Sequence, residues 1–186
     1  MGRGMTVMRT PRLTLRPFNE GDIDAVVALL NDWEVAQWLA IPPFPYRRAD
    51  ARFYVDQVRA NHEAGPATEF AIALTEGDGV VGSIGLRVKS ADAAIGYWLG
   101  QPHWGHGYAS EAVGAVVAYG FGSLELERME AETDPENERS ARVLGKLGFR
   151  PIGQASAKEA RSCSVPTRRG SLVVNVHELL RSEFNT

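Results

Sequence analysis

The sequence predicts an α/β (α+β) domain, a single mixed, mostly antiparallel sheet flanked by helices. Three observations carry this. Phe70, Ile72 and Leu74, then Ile84, Leu86 and Val88, then Ile95, Tyr97 and Leu99 repeat with the period of two that a half-buried strand demands. After this run the pattern changes, and strand and helix signals alternate to the end of the chain. The length, 186 residues of which 44% are hydrophobic, suits one core and is tight for two. The whole chain, 1–186, is therefore expected to be one domain, with residues 1–9 flexible.

Arg12 to Phe18 sets Leu13 and Leu15 against Arg12, Thr14 and Arg16, the alternation of a strand with one buried face. Asn19-Glu20-Gly21-Asp22 is a turn that starts a helix. Ile23 to Leu30 carries apolar residues at helical spacing, and Trp33 to Leu39 suits a second short helix. Pro42-Pro43-Phe44-Pro45 breaks helix. Ala49 to Ala60 reads as another, with Phe53, Val55 and Val58 toward the core. The three strands follow, joined by a hairpin turn at Glu76-Gly77-Asp78-Gly79 and a polar break from Lys89 to Asp92, so an antiparallel meander is expected. Tyr108 to Phe121 has Ala112, Val113, Val116 and Val117 on one helical face, Met129, Ala131 and Thr133 form a short strand, and Asn137 to Leu147 is a helix stopped by Gly148. Phe149 to Gly153 and Ser171 to Val176 are the last strands, with the polar stretch Ala155 to Gly170 as a loose loop between them.

The net charge is −3 and the pI is near 5.8. That argues against a nucleic-acid binder that works by neutralising phosphates. No apolar run approaches the ~20 residues that cross a bilayer. The first ten residues lack the apolar stretch of a signal peptide, and the fit of Met1-Gly2-Arg3-Gly4-Met5-Thr6 to a myristoylation pattern is loose. Cys163 is the single cysteine, so no internal disulfide can form, which suits a reducing cytoplasm. His62, His103, His106 and His177 lack metal-ligand spacing, and no metal is expected.

Two segments carry chemistry. In Ile95-Gly96-Tyr97-Trp98-Leu99-Gly100-Gln101-Pro102-His103-Trp104-Gly105-His106-Gly107-Tyr108-Ala109-Ser110-Glu111-Ala112 a strand ends, a glycine-containing turn follows and a helix begins. Such a turn aims several backbone N–H groups one way, at the positive end of the helix dipole, which is a seat for phosphate. The same residues also read as a tight strand-to-helix turn with no ligand. The spacing has neither the Gly-Lys-Ser/Thr of a Walker loop nor the third glycine of a dinucleotide fingerprint. In Asp134-Pro135-Glu136-Asn137-Glu138-Arg139-Ser140, Asn137 and Ser140 share one face at the start of a helix. Capping by Asp134 or Asn137 is the plainer account of that spacing.

Together these segments resemble the GNAT superfamily of acetyl-CoA-dependent N-acetyltransferases, and within it the RimJ/RimL branch, which acetylates N-termini of ribosomal proteins. Thr10-Pro11-Arg12-Leu13-Thr14-Leu15-Arg16 is similar to the opening of that branch, Asn137-x-x-Ser140 through Lys146-Leu147-Gly148-Phe149 to its second half, and Val176-His177-Glu178-Leu179-Leu180-Arg181 to its closing strand. The resemblance implies a GNAT-like acyl-CoA N-acyltransferase fold with acetyl-CoA as co-substrate. It implies that backbone N–H groups of Trp104, Gly105, His106, Gly107, Tyr108, Ala109 and Ser110 hold the pyrophosphate. Trp98, Leu99 and Gly100 would pair with the pantetheine arm, Asn137 would hydrogen-bond it, and Ser140 would protonate the departing thiolate. Pro102 stands where Gln or Arg is common, and Ala94 where the branch usually has a Glu before Ile-Gly-Tyr.

An amine attacks only when neutral. At pH 7 that costs about 1 kcal/mol for a terminal α-amine and about 4.6 kcal/mol for a lysine, so an α-amine can manage with a weak base. In place of a Glu at 94, Glu132 is the first candidate base, with Glu130 on the same strand face and Asp92 on that of Ala94 as alternatives, and a solvated strand face as the plain reading of the two glutamates. Tyr97 and Trp98 line the cleft or the core, and Arg142 and Lys146 reach phosphates or solvent. Direct attack needs a donor for the developing oxyanion, for which a backbone N–H near Leu99 is suited. Cys163, in a polar loop, is a poor nucleophile. The expected partners are acetyl-CoA and an amine acceptor, a peptide N-terminus or a small molecule, on a monomer or homodimer. The competing readings are a non-catalytic acyl-CoA-binding or sensor domain, and an antibiotic or polyamine acetyltransferase.

Overall fold

In the computed structural model, which describes residues 6–64, 68–156, 170 and 172–184, the chain runs β1 (Met8–Arg9), β2 (Leu13–Arg16), α1 (Ile23–Leu30), α2 (Trp33–Ala36), α3 (Arg48–Ala64), β3 (Glu69–Leu74), β4 (Val80–Lys89), β5 (Asp92–Leu99), α4 (Tyr108–Gly122), β6 (Arg128–Thr133), α5 (Glu138–Lys146), β7 (Arg150–Ser156) and β8 (Val173–Leu180). The strands form one sheet in the order β1-β2-β3-β4-β5-β6-β8-β7. β1 through β5 are paired antiparallel, and β5 and β6 are parallel, joined by the crossover helix α4. The mixed sheet flanked by helices is the one the sequence predicts, and β3, β4 and β5 form the expected meander. Met8 and Arg9 pair with Leu15 and Thr14, so this part of the expected flexible start is a strand.

Two apolar layers cover the sheet. On one face Leu13, Leu15, Phe70, Ile72, Ile84 and Ile95 pack with Val113, Val116 and Val117 of α4 and Leu144 of α5. On the other, Ile23, Val26 and Leu30 of α1 and Ala51, Val55 and Val58 of α3 pack with Phe18 and Ala71. Those α3 residues recur at i, i+4 and i+7, the spacing of one helical stripe. Phe53, expected in the core, is 67% exposed because it stands two positions, about 200° of helix, from Val55. Val88 is likewise exposed, near the β4–β5 turn and beyond the covering helices. α2 stops at Ala36, short of the expected Leu39, while β7 and β8 run past the expected Gly153 and Val176. The expected loop at 155–170, with Cys163, lies largely outside the described residues.

β5 and β6 part company. Their ladder stops at Ile95 opposite Ala131, yet β5 continues to Leu99 and β6 to Thr133. The Gly100 N–H donates to the Val81 carbonyl at 2.9 Å. By the alternation of an antiparallel ladder, the N–H and C=O of Tyr97 and Leu99 then turn away from β4 and into the opening.

Candidate functional site

Two cavities meet in that opening. The first, about 610 Å³, is walled by α3 and the 38–43 segment on one side and by Ser83, Gly85, Ala94, Gly96 and Trp98 of the sheet. The second, about 630 Å³, runs from the opening along α5 to the turn before α4. Trp38, Leu39, Tyr97, Trp98, Glu132, Asp134 and Ser140 line both.

The turn before α4 is built as the sequence suggests. Gly105 and Gly107 have φ of +80° and +81°, a left-handed conformation that glycine adopts without strain. Gly107 is the N-cap of α4 and supplies no side-chain cap, so the first N–H groups of the helix are left for other acceptors. Arg12 braces the turn. Its guanidinium donates to the His106 carbonyl at 2.8 Å and forms a double contact with Glu111 in the first turn of α4. It also lies over the Tyr108 ring, on which His106 stacks. Glu111 accepts from the Thr10 hydroxyl and the Arg12 N–H as well. Partial burial pushes its carboxyl up, but these hydrogen bonds and the Arg12 charge outweigh that and hold it below the ordinary value. Sequence reasoning noted Thr10 and Arg12 in one motif and Glu111 in another. That they are one clamp is visible only once β2 lies beside α4.

Of the residues expected to hold a cofactor, Trp98, Leu99, Trp104, Gly105, Gly107, Tyr108, Ala109, Ser110 and Asn137 line the second cavity together. Gly100 and His106 are not among its walls. Gly100 is turned against Leu29, where a Cβ would come within 2.3 Å, and the His106 carbonyl is taken by Arg12. The Trp104 indole donates to the Leu99 carbonyl at 2.8 Å and carries Arg139 over its ring. Arg139, Arg142 and Lys146 of α5 border the cavity, and Arg142 also pairs with Glu138 one turn away.

The Asn137 side chain accepts from the Ser140 N–H at 3.2 Å, so it does cap α5, while its amide N–H₂ is a further donor on the cavity wall. The Ser140 hydroxyl stands 2.8 Å from the Tyr97 hydroxyl. Burial pushes the Tyr97 phenol up to about 12, with the Ser140 hydrogen bond acting the other way, so the pair is neutral at ordinary pH. Glu132 lines both cavities. The alternatives do not. Glu130, Asp92 and Glu178 gather around Arg128, with Arg128 to Glu178 at 2.6 Å, at the paired end of the sheet. A carboxylate that sequence reasoning missed, Glu69 of β3, is on the first cavity with Tyr54 and Ser83. No strand periodicity distinguishes it from a solvated charge.

Among the described residues no group of His, Cys, Asp and Glu could hold a metal ion, and no helix is long and apolar enough to cross a membrane.

The sheet thus opens beside a glycine turn at a helix start, and the chain's relatives give the family. The family model for the acetyltransferase (GNAT) domain matches residues 12–150. The chain belongs to the GNAT acetyltransferase family and is an N-acetyltransferase of that type. It is 38% identical over 152 residues, 80% of this chain and 85% of the relative, to the uncharacterized N-acetyltransferase p20 of Bacillus licheniformis. It is 29% identical to the ribosomal-protein-serine acetyltransferase of Escherichia coli, over 77% of this chain and 82% of the relative. Among solved structures, Mycobacterium smegmatis RimJ in complex with CoA-disulfide superposes with a TM-score of 0.77, at 22% identity, over 98% of this chain and 89% of that one, a likeness of fold.

Proposed function

We propose that the protein moves an acetyl group from acetyl-CoA to a primary amine, a peptide N-terminal α-amine or a small-molecule amine, by direct attack. One observation carries this reading: two separate cavities meet where Tyr97, Trp98, Glu132, Asp134 and Ser140 line both, which lets two substrates enter by different routes and meet. The second cavity fits acetyl-CoA. The N–H groups of the turn from Trp104 to Ser110 offer a seat for its pyrophosphate, with Arg139, Arg142 and Lys146 as nearby positive charge. The Asn137 amide is a donor for its amide-bearing arm.

The amine then comes from the first cavity. Glu132 accepts the proton that the ammonium must lose. The new C–N bond forms, the nitrogen gives up its second proton to solvent in the opening, and the C–S bond breaks. The Leu99 N–H stabilises charge developing on the acyl oxygen, and the Ser140 hydroxyl, relayed to Tyr97, supplies a proton to the leaving sulfur. No residue becomes acylated. A protein acceptor draws support from the Escherichia coli relative, a ribosomal-protein-serine acetyltransferase.

A CoA-release assay over peptides, free amino acids, polyamines and aminoglycosides tests the reading, with calorimetric acetyl-CoA binding alongside. Glu132→Gln is expected to lower kcat and shift the optimum to higher pH while CoA still binds. Tight CoA binding with no turnover on any amine would favour a sensor domain, and no CoA binding would end the proposal.

A further inference from the structure

The first cavity has a chemical character along its floor. Glu69 of β3 stands opposite Gly85 of β4, and Gly85 opposite Gly96 of β5. Directly paired residues share a sheet face, so the three form a row across it. Ala94 pairs with Glu130, which puts Gly96 and Glu132, two residues further along each strand, on that same face. The row thus has a carboxylate at either end and two residues without side chains between them. Above Gly96 a Cβ would meet nothing within 4 Å, whereas at Gly85 it would press on the Glu69 side chain at 3.2 Å. The two glycines leave a trough from Glu69 to the opening where Ser140 and Glu132 stand.

Glu69 is held in that trough from the α3 side. The Tyr54 hydroxyl donates to it and is 2.9 Å from Ser83 Oγ. Burial raises the Glu69 carboxyl, while the Tyr54 hydrogen bond, the Arg87 charge and the Ser83 hydrogen bond each pull it back. Among the described residues, Arg87 is the one cation on the cavity wall, and Asp50, Glu132 and Asp134 are its other acids. Trp38, Tyr46 and Trp98 supply aromatic surface between them. An ammonium group is compatible with such walls, since ring faces attract cations, and a methylene spacer buries well against them.

We propose that Glu69 is a specificity-determining residue that reads a second positive charge on the acceptor, so that the substrate class is a small amine with a further protonated nitrogen. This rests on the acetyltransferase reading above and narrows its acceptor. Two strand spacings separate Glu69 from Gly96, roughly 10 Å between backbones, so the favoured spacer is a chain of several methylenes rather than one or two.

The test uses the full chain loaded with CoA. Calorimetry compares α,ω-diamines of increasing length with monoamines of matched length, and steady-state kinetics follows with acetyl-CoA. At an intermediate length a diamine is expected to bind at least tenfold more tightly than its monoamine. Glu69→Gln is expected to erase that ratio through KM, and Tyr54→Phe to reduce it by a smaller factor. Retained CoA affinity shows that each variant is folded. Equal binding of diamine and monoamine, a ratio that survives in Glu69→Gln, or a preference for peptides without a second cation would overturn this assignment while leaving acetyl transfer intact. Failure of the parent chain to bind CoA would bring down both.

Discussion

Ser140 and Tyr97 face each other at the head of α5, their hydroxyls 2.8 Å apart, and their chemistry is set by burial. Because the phenol is raised to about 12, the folded chain keeps a proton there that the unfolded chain loses near pH 10. The stabilisation is complete below pH 10 and fades as pH rises toward 12. Tyr97→Phe is therefore expected to flatten the fall of Tm across that window, as read by thermal unfolding at stepped pH. Ser140→Ala removes the proposed proton donor to sulfur and is expected to lower kcat by about a hundredfold, with acetyl-CoA affinity changed little in a binding titration. At Gly107 the difficulty is backbone geometry. A side chain there must adopt φ near +81°, costing about 1–2 kcal/mol, and its Cβ would come within 3.3 Å of the Arg12 guanidinium. Gly107→Ala should weaken CoA binding about tenfold or more by equilibrium titration.

At the scale of elements, Arg12 at the front of the chain braces the turn proposed to seat the pyrophosphate. Arg16 of β2 pairs with Asp22 and Asp78, closing the start of α1 against the β3–β4 hairpin, whereas Arg12 just before it reaches α4. Since Glu111 is held below its ordinary value, its contribution is present above the unfolded carboxyl's range and disappears as pH falls through the folded one. Glu111→Gln is expected to cost about 1–3 kcal/mol at neutral pH, to lose that difference in acid, and to weaken CoA binding several-fold; urea unfolding at two pH values and a CoA titration check both. What was legible at this scale followed from periodicity. The meander, α4 and α5 stand where the apolar spacing put them. Phe53 was misjudged because an amphipathic helix shows its period but not how wide its buried stripe is, and Val88 because alternation continues past the point where a helix covers the strand.

Across the whole molecule, the motifs foretold that a turn and a helix start would face one groove, and nine of the eleven residues expected to hold a cofactor do line it. Gly100, whose N–H goes to the Val81 carbonyl, and His106, whose carbonyl and not its N–H is taken by Arg12, do not line it. Glu69 was illegible because its place opposite Gly85, itself opposite Gly96, depends on the register of three strands, which no local pattern encodes. In sequence, its offset from Asn137 alone ranks Glu132 above Glu130, since both lie on one strand face. Arg128 claims one, and the other reaches the opening.

The early end of the β5–β6 ladder has one more consequence. Past Ile95 and Ala131 the two strands no longer satisfy each other; the Trp104 indole takes the Leu99 carbonyl, while the Leu99 N–H and the main-chain groups of Tyr97 that point between the strands resemble the edge of a torn fabric, which the amide-bearing arm proposed above would mend. Hydrogen–deuterium exchange at those two amides should slow markedly on adding CoA, while the amides of Ala93 and Ile95, already laced into the ladder, should keep their rates.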